Sequence, residues 1–292
     1  MREGFRFPAG PYCGREAVLT TKHGKERALA RPFHAALGII VTVPDEIDTD
    51  LLGTFTGEVE RVGTPREVAI RKARVGMRAS GIPLGLASEG SFGPHPRMPF
   101  LIASDHEILA FVDEELGITV VESILTEDTN FSHSSARTMS DLADFMERAR
   151  FPSHALIVRP NDGLKPDVLV KGITDCDDLN RAVIRCAAAS ADGMAHVETD
   201  MRAHVNPTRQ RAIRRVAFRL ARRLASPCPA CGAPGWGITT TEKGLPCRGC
   251  GAPTEWVKHE IFGCARCDCT DARPRSDGRR EAEEGQCPLC NP

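Results

Sequence analysis

Aromatic side chains are scarce: one tyrosine, two tryptophans and twelve phenylalanines in 292 residues. A base-stacking surface has little to build from. Net charge is nearly absent as well, at −1, so whole-molecule electrostatics call for neither a nucleic-acid nor a membrane partner. No apolar run reaches the length of a bilayer-spanning helix. Residues 1–10 lack the apolar stretch of a secretory signal. The expectation is a cytoplasmic chain of 41% hydrophobic and 26% charged residues, long enough for one large or two ordinary domains.

Cysteine, by contrast, is plentiful. Eight of the twelve form four Cys-x-x-Cys pairs, all after residue 227: Cys228/Cys231, Cys247/Cys250, Cys264/Cys267 and Cys287/Cys290. In a cytosolic chain such pairs indicate metal rather than disulfides. Fifteen residues separate the first two pairs and nineteen the last two, and both gaps suit zinc ribbons. Two zinc ions, each held by four thiolates, leave no coordination position open, so they are expected to be structural. Sequential pairing is the default expectation, with a cross-braced arrangement of first with third as the alternative. Cys269 and His259 are left over and are candidates to replace a ligand. Cys176 and Cys186 read as small buried apolar residues.

Strand and helix patterns alternate up to residue 225. That predicts an α/β fold, a mixed sheet flanked by helices, over residues 1–225. A double zinc-ribbon module follows over residues 226–292. Residues 17–21 read as a strand and 26–37 as a helix. Between them Lys22 and Lys25 sit where helix N–H groups attract anions, although a solvated basic turn has the same composition. Asp45, Glu46, Asp48 and Asp50 suit either a hard cation or turn and cap positions. Thr64-Pro65-Arg66-Glu67 is a capping-box helix start, with Lys72 near the middle of that helix.

Residues 85–96, Gly-Leu-Ala-Ser-Glu-Gly-Ser-Phe-Gly-Pro-His-Pro, concentrate Ser88, Glu89, Ser91 and His95 in a Gly-rich stretch. The composition reads as a strand ending in a turn, or as a site that backbone approaches closely. Strands are expected at 100–102, 108–112 and 118–125, the last two joined as a hairpin, with helices at 136–150 and 177–190. In residues 196–201, His196, Glu198 and Asp200 share one strand face. That face suits a divalent metal, or simply the wet side of an edge strand. Asn206-Pro207 opens a helix to about Leu224. Seven arginines ride on it (209, 211, 214, 215, 219, 222 and 223), for phosphate or for solvent.

Overall the sequence resembles an uncharacterised bacterial family of unknown function that ends in paired Cys-x-x-Cys motifs. Its first two-thirds also resembles, more distantly, the inosine/xanthosine triphosphate pyrophosphatase (HAM1-type) superfamily. The residues concerned are Leu19-Thr20-Thr21-Lys22-His23-Gly24-Lys25, Gly53-Thr54-Phe55-Thr56-Gly57-Glu58, Ala69-Ile70-Arg71-Lys72-Ala73, Ala87-Ser88-Glu89-Gly90 and Asn206-Pro207-Thr208-Arg209. The paired aspartates of that superfamily are Ser88-Glu89 here, and its first-loop asparagine is missing.

The resemblance implies a Mg-dependent hydrolase that releases diphosphate from a nucleoside triphosphate. Glu89, with Glu58 or Glu60, would hold Mg²⁺, and Lys22, Lys25 and Arg209 would meet phosphate. Lys72 and His95 would complete the catalytic set. Two other readings stand beside it. One is a zinc-ribbon nucleic-acid-binding or nucleic-acid-processing protein that uses the Arg-rich helix, with Glu198 and Asp200 as further Mg candidates. The other is a non-catalytic adaptor that docks a protein partner through the zinc module.

Overall fold

The computed structural model describes residues 10–21, 24–44, 63–96 and 98–292. Lys22, Glu58, Glu60 and the acidic residues Asp45, Glu46, Asp48 and Asp50 lie outside the described residues, as does the segment 53–58.

The apolar run after residue 15 forms β1 (Glu16–Leu19), which leads into α1 (Glu26–Leu37) and returns as β2 (Ile40–Thr42). Gly38 ends α1 in a left-handed conformation, which glycine adopts without a Cβ penalty. The capping box at Thr64 forms as the sequence predicts, with Glu67 N–H donating to Thr64 Oγ1 and Thr64 N–H donating to Glu67 Oε2. It starts α2 (Pro65–Ser80). Three long strands follow: β3 (Leu84–His95), β4 (Met98–Asp113) and β5 (Ile118–Thr126). The sheet order is β2-β1-β3-β4-β5, with β1 parallel to both neighbours and the other pairs antiparallel. This is the mixed sheet expected of the α/β class.

Two expectations change here. Residues 88–95 are not a turn but the continuation of β3, because each residue from Leu84 to Pro94 has a partner on β4. The segments 100–102 and 108–112 belong to one sixteen-residue strand. Ladder pairing on both strands outweighs the turn propensity of Gly90, Gly93 and Pro94.

Alternate residues of the strands face different helices. Leu84 and Leu86 on β3, with Leu109 and Phe111 on β4, pack against Leu29 and Phe33 of α1. The same cluster takes in Ile213, Val216 and Leu220 of α5 (Pro207–Leu224). Ala87 and Val112 face Ala73 and Met77 of α2 on the opposite side. The sheet is therefore a middle layer, with α1 and α5 on one face and α2 on the other. At Gly76 of α2 a Cβ would collide with Thr20 Oγ1, so this glycine is what lets α2 approach the end of β1.

A second core sits between β5 and α5. The four-stranded antiparallel sheet β6-β9-β7-β8 combines His133–Ala136, Ala195–Thr199, Leu156–Pro160 and Val170–Ile173. It packs with α3 (Ala143–Ala149) and α4 (Cys176–Ala188) around Leu142, Phe145, Leu156, Leu179 and Val183. This lobe pins the start of α5. Ala155 N–H donates to Val205 O (3.2 Å), Thr208 N–H to His154 Nε2 (3.2 Å) and Asn206 Nδ2 to Asn130 Oδ1 (2.9 Å). Because His154 Nε2 accepts that N–H, its proton sits on Nδ1, beside Ser153 Oγ.

Past α5 the chain forms the antiparallel meander β10 (Gly237–Lys243), β11 (Val257–Gly263) and β12 (Thr270–Pro274). The module is docked on the α/β core. Arg223 Nε donates to Gly235 O (3.1 Å), Ala265 packs against the main core, and Trp236 is buried. No described helix is long and apolar enough to cross a membrane.

Candidate functional site

The parallel strands β1 and β3 end differently. β1 stops at Leu19, opposite Leu86, while β3 runs on. Beyond Thr20, whose N–H donates to Leu86 O, no strand among the described residues lies beside that flank of β3. The connection β1-α1-β2 leaves on one face of the sheet and β2-α2-β3 returns on the other. The carboxyl end of β1 is thus a topological switch point, the crevice where open α/β sheets bind ligands.

Four sequence-predicted residues lie around it, Lys72 and Glu89 on the α2 face of the sheet, Arg209 on the α5 face and Lys25 at the edge between them. Lys25, immediately before α1, is 9% exposed and donates from Nζ to the Ser88 carbonyl on that flank of β3 (3.1 Å). Lys72 reaches from α2 to Glu89, Nζ to Oε1 at 2.6 Å, with both side chains almost fully buried. Arg209 enters from α5. Its backbone N–H is fixed by the Asn206 cap (3.0 Å), its Nη1 donates to Met201 O (2.5 Å) and its Nε to Glu107 Oε1 (2.6 Å). The guanidinium lies 5.0 Å over the Phe92 ring. A Cβ at Gly90 would sit 2.7 Å from Glu107 Oε1 and closer still to Arg209 Nη2. Gly90 is the opening that admits the Arg209–Glu107 pair.

Two acidic residues complete the cluster and were missed by motif reading. Glu107 is paired across the strands with Gly90, and Asp105 with Phe92. Both are essentially inaccessible. Asp105 Oδ1 and Oδ2, Glu107 Oε2 and Ser88 Oγ have no hydrogen-bond partner. Burial, then the neighbouring Glu107 carboxylate, push the Asp105 carboxyl up to about 8. Burial, then the Arg209 guanidinium, bring the Lys25 ammonium down to about 8, against the pull of Glu107 and Glu89. Such opposed shifts in one crevice are characteristic of functional sites.

The second centre is in the cysteine module, and its pairing corrects the sequential default. Cys228, Cys231, Cys264 and Cys267 form one group of four, and Cys247, Cys250, Cys287 and Cys290 the other, each with its sulfur atoms within 4.8 Å of one another. The arrangement is cross-braced, and the meander explains it. β10 carries the chain from the first pair to the second, β11 brings it back to the third, and β12 departs again toward the fourth. Odd pairs therefore meet at one end of the sheet and even pairs at the other.

Across the pairs, Sγ···Sγ distances are 3.8 Å for Cys228–Cys267, 3.6 Å for Cys231–Cys264, 3.8 Å for Cys247–Cys290 and 3.7 Å for Cys250–Cys287. They are far beyond a disulfide bond. They match the edge of about 3.8 Å that a tetrahedron has when its metal–sulfur bonds are about 2.3 Å. Two groups of four thiols that can each hold a metal ion are thus present. Although partial burial opposes it, N–H groups of Cys231 and Ala230 bring the Cys228 thiol down to about 6. Those of Cys290 and Leu289 bring Cys287 to about 7.

A family model described as a domain of unknown function (DUF6671) matches residues 72–292. The chain belongs to this family. The match takes in Lys72, Glu89, Glu107, Arg209 and all eight paired cysteines, whereas Lys25 and α1 precede it. The DUF6671 family brings no activity with it, and its match does not show the pyrophosphatase resemblance. No curated protein matches the chain significantly.

Other predicted residues fall elsewhere. His95 lies six residues further along β3 than Glu89, about 20 Å at strand rise, and faces Glu127 at 3.9 Å. It is not at the crevice. His196 and Glu198 share a face as expected, Nε2 to Oε2 at 3.2 Å, with His133 stacked on His196. Asp200 has left the strand and is clamped by Arg202 at 2.6 Å, so the three make no metal face. Among the described residues only the two cysteine groups qualify as metal-binding clusters of three or more. Cys269 joins neither, its carbonyl accepting Cys264 N–H at 3.0 Å. His259 pairs with Glu242 at 2.9 Å rather than with a metal group. The arginines of α5 are partly spent within the fold: Arg209 at the crevice, Arg223 on Glu122 (2.8 Å) and Arg219 on Ser123 O (3.2 Å).

Proposed function

We propose that this chain is a nucleotide phosphohydrolase whose reaction takes place at the β1/β3 crevice and whose cysteine module holds two structural zinc ions. The observation that carries the reading is three buried cations around a switch point, with Lys72 paired to Glu89 on the α2 face, Arg209 paired to Glu107 on the α5 face, and Lys25 at the strand edge close enough to feel both pairs. Phosphoryl transfer needs positive groups on the phosphate oxygens and a positioned nucleophile more than it needs covalent chemistry. Lys25 and Arg209 would neutralise and align the phosphates. Glu89, oriented by Lys72, would hold the attacking water and take its proton.

Magnesium typically uses one or two carboxylates together with substrate phosphates. Glu89 is already neutralised by Lys72, so it fits such an ion only when the ion arrives with the nucleotide. When bound there, magnesium would supply charge stabilisation to the departing phosphate.

Four thiolates per ion at tetrahedral spacing favour zinc over harder cations. Twelve cysteines without a disulfide suit a reducing cytoplasm.

The test is a screen of nucleoside triphosphates with Mg²⁺, following phosphate and diphosphate release. Glu89→Gln should cut turnover about 10²–10⁴-fold, the usual worth of a general base. No release from any nucleotide by zinc-loaded protein, or a Glu89→Gln variant indistinguishable from wild type, overturns the proposal.

The second reading, nucleic-acid binding, draws on a surface cleft of about 380 Å³ lined by Arg27, Arg211, Arg214 and Gln210. Absence of a DNA or RNA gel shift at low salt, where phosphate contacts are strongest, removes it.

A further inference from the structure

The Asp105 carboxyl is the strongest unexplained group in the molecule. It is 1% exposed, and neither oxygen has a partner. A buried carboxylate in that state is costly unless something supplies donors. The neighbouring cations do not: Arg209 is committed to Glu107, Met201 O and the Phe92 ring, and Lys25 donates to Ser88 O.

Asp105 does not stand among polar residues alone. Its cross-strand partner is Phe92, on the same face of the sheet. The Phe92 ring packs against Phe131, centroids 5.9 Å apart and tilted by 30°, and both rings are half-exposed. In a chain so poor in aromatics, one ring of a packed pair thus stands opposite an orphaned carboxylate. From Phe92 back to Ser88, where Lys25 is anchored, is four residues of β3, about 13 Å. Along one sheet face lie an aromatic pair with an acceptor, then Arg209, then Lys25. That order suits a nucleotide lying along β3, base at Phe92 and outer phosphates at Lys25.

We infer that Asp105 is a specificity-determining residue that accepts two adjacent N–H groups from the edge of a guanine-type base. Two unsatisfied oxygens on one carboxylate match two parallel donors. Guanine has such an edge in its ring N1–H and its 2-amino group. Hypoxanthine keeps only the first, and adenine offers no N–H at N1. This inference rests on the nucleotide reading of the crevice. Burial and Glu107 hold the free carboxyl up to about 8, so a base that brings two N–H donors displaces its proton to solvent and stabilises the ionised, double-acceptor form.

The experiment measures Kd for α,β-methylene triphosphates of guanosine, inosine and adenosine on full-length, zinc-loaded protein with Mg²⁺. Losing one hydrogen bond to a charged acceptor is worth about 10- to 100-fold in affinity. Wild type should therefore prefer the guanosine analogue over the inosine one by about that factor. Asp105→Asn, which keeps the shape but presents one acceptor only, should reduce the preference to within a few-fold. Phe92→Leu should weaken all three analogues together and leave their ranking intact. Equal affinities in wild type, or a ranking unmoved by Asp105→Asn, overturn the inference while the nucleotide reading stands. Failure of all three analogues to bind overturns both.

Discussion

Replacing Glu107 with alanine isolates what one carboxylate does for the crevice. Glu107 and Arg209 are 0% and 5% exposed at their side chains and 2.6 Å apart. Removing one member of a buried ion pair strands the other charge and costs about 3–5 kcal/mol. Arg209 keeps the Met201 carbonyl and the face of Phe92, which places the expected loss near the lower end, about 3 kcal/mol. At roughly 2–4 °C per kcal/mol for a chain of this order, Tm should fall by roughly 6–12 °C. The assay is thermal and urea unfolding of zinc-loaded protein, run on Glu107→Ala, Arg209→Met and the double variant. Each single variant leaves an uncompensated buried charge, whereas the double variant leaves none. The double should therefore lose less than the sum of the singles, by about 2 kcal/mol or more. A Glu107→Ala variant within about 1 kcal/mol of wild type, or a cycle that closes additively, would refute the claim that this pair holds Arg209 in place.

Gly90→Ala tests the same contact sterically. A methyl group 2.7 Å from Glu107 Oε1 must displace the pair, and a loss of about 1–3 kcal/mol with impaired phosphate hydrolysis is expected; a neutral variant would show that the cluster yields freely. Metal analysis should return two zinc per chain. Cys231→Ser with Cys264→Ser should release one ion in total, because both belong to one site, whereas Cys231→Ser with Cys250→Ser should release two; the reverse result would restore sequential pairing. Both tryptophans, Trp236 and Trp256, lie in the module, so chelation should shift tryptophan emission before it melts the α/β core by circular dichroism. For pH, burial and Glu107 hold the Asp105 carboxyl at about 8 when folded, against an ordinary 3.8. Between those values the folded chain keeps a proton that the unfolded chain has lost, so stability should fall as pH rises from about 4 to 8, and Asp105→Asn should flatten that slope. Lys25 acts in the opposite sense and in a higher window: its pKa drops from 10.5 to about 8, so stability should recover as pH rises from about 8 to 10.5, where the unfolded chain still binds a proton that the folded chain has lost.

The parts of the fold that could be read from sequence are those with a local chemical signature. Thr64-Pro65-Arg66-Glu67 and Asn206-Pro207 mark helix starts because a cap is satisfied within four residues. Those helices, with the strand-loop-helix at residues 16–37, place Lys72 on Glu89, Lys25 on the Ser88 carbonyl and Arg209 on Glu107 across the sheet. What failed depended on partners distant in sequence. Gly90, Gly93 and Pro94 read as a turn until β4 supplies a partner for each. The Cys-x-x-Cys spacing is identical for sequential and cross-braced pairing, and only the direction of three successive strands decides between them.

Asp105 and Glu107 fall between the strands expected at 100–102 and 108–112, where sequence alone reads a polar connection, and only the pairing with β3 makes them part of one strand. Yet Asp105, Glu107, Leu109 and Phe111 alternate on one face, and the last two are core. Carboxylates continuous with a buried apolar stripe must be buried with it or interrupt it, and buried carboxylates need partners. Arg209 answers for Glu107. That Asp105 has no such answer within the described chain is the physical reason to look for it in a ligand.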